Sequence, residues 1–87
     1  MLVTVDWIRE NYNICNRKYF QGRLPKEINF KVGTKLQKWG QASCRFIKDY
    51  DGEIKATNFC IYISNAYDSP EDVKLNVLLH EMIHILD

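Results

Sequence analysis

Both histidines of this 87-residue chain sit in one five-residue run, His80-Glu81-Met82-Ile83-His84. Residues four apart on a helix are neighbours on one face, about 40° apart in projection. His80 and His84 can therefore turn two imidazoles toward one zinc ion. Glu81 follows the first histidine and is rotated slightly away from that direction, which suits a general base better than a ligand. The chemistry such a set performs is peptide-bond hydrolysis: zinc activates a water molecule, and the carboxylate takes its proton and passes it to the leaving amine. With two His and five Glu in the composition, shuffling would produce H-E-x-x-H in roughly 0.3% of sequences. The opposing reading, a His pair and a Glu kept in a core helix as satisfied polar groups, puts three costly side chains among aliphatic ones for no evident gain.

The helix that must carry the motif is strongly signalled. Ser69 reads as its N-cap and Pro70 as its first residue, followed by Glu71 and Asp72 on the favourable side of the helix dipole. From Val73 to Leu86, apolar residues fall on almost every side, as in a buried helix. At the other end of the chain, Thr4 reads as an N-cap. Val5, Ile8, Tyr12, Cys15 and Tyr19 then form a stripe at spacings of three and four. This predicts a helix over 5–20, stopped by Gly22 and Pro25. Between the helices, Ile28/Phe30/Val32, Ala42/Cys44/Phe46 and Phe59/Ile61/Ile63 alternate as strands do. Asp49-Tyr50-Asp51-Gly52 has turn chemistry, so the last two strands should form a hairpin. The expected fold is α+β: an N-terminal helix, a small three-stranded and mostly antiparallel sheet, and the motif helix.

A chain that is 46% hydrophobic and 13% aromatic can bury a core, and its length allows one domain. Three cysteines with no C-x-x-C pair argue against a disulfide framework or a cysteine-rich zinc module. No stretch approaches the roughly 18 apolar residues of a membrane span, and the first residues lack the pattern of a signal peptide. The expected compartment is therefore cytoplasmic. The net charge of +1 conceals a split, +7 over residues 1–48 and −6 over 49–87. The basic half is either a surface for nucleic acid or a solvated face. Tyr62 and Tyr67 are candidate hydrogen-bond donors to a tetrahedral intermediate, with ordinary packing as the default. Trp7 and Trp39 read as core or edge aromatics, and Asn16 as a residue that satisfies backbone groups locally.

The pattern as a whole resembles the SprT-like zinc metallopeptidase domain. The likeness rests on Tyr12-Asn13 and Asn16, on Tyr19-Phe20-x-Gly22-x-Leu24-Pro25, on Gly40 ahead of a strand, on Ile61-x-Ile63-Ser64, and on Leu78-Leu79-His80-Glu81-Met82-Ile83-His84. It runs through nearly the whole chain in order. The resemblance implies a minimal zincin-like fold, His80 and His84 as zinc ligands, Glu81 as the base, and a protein or peptide substrate. Some members of that family act on proteins crosslinked to DNA, which would give residues 1–48 a use. The family also takes a third ligand, usually a histidine, from beyond the motif helix, and there is no third histidine among these 87 residues. The domain, 1–87, is thus expected to be incomplete at its C-terminus, with Asp87 a poor candidate for the missing ligand. Three explanations stay open: a fragment of a longer peptidase, a site completed by a carboxylate or by a second chain in a homodimer, or a degenerate domain that now only binds. Incompleteness would also leave Ile83, Leu86 and their neighbours exposed.

Overall fold

The structure, a computed structural model, describes residues 1–86; Asp87 lies outside them. Helix α1 spans Val5–Tyr19, strand β1 Asn29–Gly33, β2 Gly40–Lys48, β3 Ile54–Ser64, and helix α2 Glu71–Leu86. The order in the sheet is β1-β3-β2. β3 pairs parallel with β1 and antiparallel with β2, so the sheet is mixed and the expected hairpin forms its longer ladder. A bulge between Ser43 and Arg45 interrupts that ladder, and Asn58, across from it, takes a left-handed conformation at φ 54°.

Thr4 caps α1 as its sequence suggests, its Oγ1 accepting the Trp7 N–H at 3.1 Å. Ile8, Tyr12, Cys15 and Asn16 form the buried stripe. Tyr19 is a correction: it is 56% exposed, and Phe20, just past the helix, fills the core position instead. The chain turns there because Gln21 and Gly22 both adopt positive φ, and the Phe20 and Gly22 N–H groups both return to the Asn16 carbonyl.

The helices pack against each other over the sheet face that carries Ile61 and Ile63, with Leu78 and Met82 of α2 in the same core. The start of α2 also differs from expectation. Pro70, not Ser69, accepts the first helical N–H groups, those of Val73 and Lys74 at 3.1 and 3.2 Å. The Ser69 carbonyl accepts instead from the N-terminal ammonium at 2.6 Å, which also pairs with Asp68. Nor is α2 buried on every side: its buried stripe is Lys74, Leu78, Glu81 and Met82, while Ile83 and Leu86 are each 51% exposed.

Lys74 fixes where α2 begins. Its side chain is almost wholly buried, and Nζ donates to the carbonyls of Ser64 at 2.8 Å and Tyr67 at 3.0 Å. The helix is thereby tied to the end of β3 and the loop between them. Burial pushes the lysine pKa down, since desolvation disfavours the ammonium. Among the described residues, no helix is long and apolar enough to cross a membrane.

Candidate metal centre

His80 and His84 lie one turn apart on α2, as their spacing requires, and both rings are exposed. Their Nε2 atoms converge to 3.2 Å, with ring centroids 4.7 Å apart and planes nearly perpendicular. A zinc ion held by two nitrogens at about 2.0–2.1 Å in tetrahedral geometry separates them by about 3.3 Å. The pair is therefore already spaced to share one ion. An N–H···N hydrogen bond between neutral rings has a similar length, so the distance fits either occupant.

The two rings open on a shallow groove between α2 and the beginning of β2, floored by Gly40, Gln41 and Ala42 and flanked by Gln37 and Lys38. Glu81 lies on the same groove but is 7% exposed. Among the described residues its carboxylate has no hydrogen-bond partner, and no buried side-chain oxygen is left unpaired. Its oxygens therefore keep some contact with solvent, while its Cγ packs close to Gly40.

Gly40 makes that packing possible. A Cβ placed there would stand 2.8 Å from Val77 Cγ1, 3.1 Å from the Tyr62 carbonyl oxygen and 3.2 Å from Glu81 Cγ. Only a residue without a side chain lets β2 pass this close beneath the motif helix.

Of the other marked residues, Trp39 borders a second groove that His80 and Glu81 also line, and the rest lie outside this constellation. The Tyr62 hydroxyl accepts the Lys35 N–H at 3.0 Å. Tyr67 donates to the Leu36 carbonyl at 3.3 Å and stacks on Trp39 at 5.4 Å. Both tyrosines thus hold the 34–39 loop, the packing default. Trp7 packs against the core edge, its Nε1 3.4 Å from Glu71. Asn16 satisfies backbone as expected: it accepts from the Leu24 N–H at 3.1 Å and donates to the Leu24 carbonyl at 3.3 Å. The cations of residues 1–48 are spread over both layers. Arg9, Arg17 and Lys18 belong to α1, whereas Lys31 shares a sheet row with Tyr62, over whose ring Lys35 lies at 5.4 Å.

No third ligand joins the histidines among the described residues. Among the described residues, the one group of three or more His, Cys, Asp or Glu side chains close enough to share an ion is Asp49, Asp51 and Glu53, in the hairpin turn. Asp49 there is already paired with Lys55 at 2.8 Å. Cys44 is a free, exposed thiol on β2, bordering the apolar groove next to His84, and it is not part of such a group.

Reasoning from the sequence missed Lys74 and the groove-lining Gln37, Lys38 and Gln41. Lys74 had one signal, a cation within the apolar periodicity of α2; the others had none, because loop geometry alone brings them to the site. Comparison with protein-family models, with curated proteins and with solved structures finds no match for this chain.

Proposed function

We propose that this chain carries the zinc-binding and general-base helix of a SprT-like metallopeptidase, acting on a protein or peptide substrate. One observation carries the reading: the 3.2 Å convergence of two exposed histidine Nε2 atoms on a groove that Glu81 also lines. His80 and His84 would hold the ion, and a bound zinc would supply Lewis acidity toward a water molecule and a peptide carbonyl. Glu81, with a packed stem and accessible oxygens, is held where it can take a proton and return it to a leaving amine. Gln41 and the floor at Gly40 and Ala42 form the wall along which an extended peptide can lie.

A hydrolytic zinc site takes about three protein ligands, and residues 1–86 bring two together. The catalytic form then draws its third from beyond these residues or from another chain. The same observation favours a second reading, a zincin-like module that binds without cleaving. Glu81→Gln separates the two. In the peptidase, the variant keeps its metal and loses hydrolysis of an unstructured protein such as casein by about a hundredfold or more. If neither the parent chain nor a longer form cleaves any peptide with zinc bound, the binding module stands instead.

A further inference from the structure

We propose that the groove between Trp39 and the first turns of α2 is the pocket for one large apolar side chain of the peptide substrate, at a residue flanking the bond to be cleaved. The assignment rests on the reading of His80, Glu81 and His84 as the hydrolytic set. Val73, Asn76, Val77 and His80 recur at spacings of three and four, so they share one stripe of α2. Trp39, from the loop before β2, supplies the other wall. His80 and Glu81 line both this groove and the one onto which the histidine pair opens, so a chain lying across the imidazoles reaches the two together. The groove encloses about 330 Å³, at the lower end of small-ligand sites, which suits a single large side chain. Val73, Val77 and the Trp39 ring give it apolar walls. Among its described lining residues Glu81 is the one carboxylate and none is lysine or arginine. An acidic side chain is therefore disfavoured there and an apolar one favoured.

The tryptophan is held in place before anything binds. Trp39 is 49% exposed, yet it is anchored at both ring and backbone. Its ring stacks on Tyr67 at 5.4 Å with the planes 19° apart. Its carbonyl accepts the Ser64 N–H at 2.9 Å. Both anchors lead to Lys74, whose buried Nζ donates to the carbonyls of Ser64 and Tyr67. Burying a lysine is costly, and here it links α2 rigidly, through the end of β3, to the aromatic pair. A platform ordered in advance loses little side-chain freedom when a ligand stacks on it, so Lys74 and Tyr67 are positioning residues for Trp39.

The test is an NMR titration of the metal-free chain with capped glycine peptides that carry a central phenylalanine, alanine or glutamate. The phenylalanine peptide should shift the Trp39 indole and the Val73 and Val77 methyls together with the His80 ring. Its affinity should exceed that of the alanine peptide by about tenfold or more, and glutamate should bind no better than alanine. Trp39→Ala should remove the preference. Val73→Asp, which puts an acid in the first turn of α2 where the dipole favours it, should remove it without unfolding the helix. No binding, equal affinities for phenylalanine and alanine, shifts that bypass Trp39, or a preference that survives both variants would overturn the pocket. Its failure is distinct from that of the peptidase reading. Zinc held at the histidines with no preference for phenylalanine removes the pocket alone. A Trp39-dependent preference in a chain that holds no zinc keeps the pocket, as the groove of a peptide-binding module.

Discussion

Gly40→Ala tests whether the motif helix is held by close contact with β2. Carbon atoms in ordinary contact lie about 3.5–4.0 Å apart, and the added methyl would meet Val77 Cγ1 at 2.8 Å and the Tyr62 carbonyl oxygen at 3.1 Å. The carbonyl belongs to the central strand and cannot turn aside. Val77 is β-branched, with one strongly preferred rotamer in a helix, and displacing it costs about 0.5–1.5 kcal/mol. Otherwise α2 must lift, moving Glu81 with it. Overpacking of this kind costs about 1–3 kcal/mol, a large share of the roughly 4–13 kcal/mol expected for a chain of this length. Thermal denaturation should show Tm falling by roughly 5–20 °C, while Gln41→Ala, at an exposed neighbouring site, leaves it nearly unchanged. The sign is decisive. Glycine replaced by alanine in a compatible, uncrowded backbone stabilises by about 0.4–1 kcal/mol, so a variant at or above parent stability would refute the close approach.

Two further outcomes follow from the buried polar groups of α1. Asn16→Ala leaves both backbone groups of Leu24 without their buried partner. It should therefore cost about 2–4 kcal/mol in urea denaturation; a loss under 1 kcal/mol would mean that water replaces the side chain. The Tyr12 hydroxyl, which donates to the Pro25 carbonyl at 2.5 Å, has its pKa pushed up to about 12 by burial. The unfolded chain releases that proton near pH 10 and the folded chain retains it, so between pH 10 and 12 Tyr12 should lower stability by up to about 1.4 kcal/mol per pH unit. Tyr12→Phe should flatten that part of the profile, and an unchanged slope would count against the buried phenol.

Much of this architecture was legible because local chemistry decided it. The Thr4 cap, the Ile8/Tyr12/Cys15 stripe, the turn at Asp49–Gly52 and the four-residue spacing of the histidines each depend on residues close in the chain. What escaped depends on distant partners. Whether Tyr19 or Phe20 enters the core is set by how the chain turns at Gln21. The start of α2 shifts by one residue because Ser69 and Asp68 engage the N-terminus. Lys74 is buried because two carbonyls of the β3–α2 connection await it, and no periodicity encodes that. The parallel pairing of β1 with β3 likewise has no local signature, since alternation looks the same in either direction. At the candidate site, the two imidazoles and Glu81 could be read from spacing, whereas the polar flank from Gln37 to Gln41 is brought there by the loop that Tyr62 and Tyr67 hold.

The most direct measurement is a zinc titration followed through the imidazole nitrogens by NMR, in the parent chain and in His84→Ala. If His80 and His84 form the metal-binding half of a hydrolytic centre, both Nε2 resonances shift together and saturate at one zinc per chain. The response at His80 is then largely lost in the variant. If zinc leaves both rings unperturbed, or gathers at the Asp49–Glu53 turn while the histidine pair keeps its hydrogen bond, the central claim is wrong.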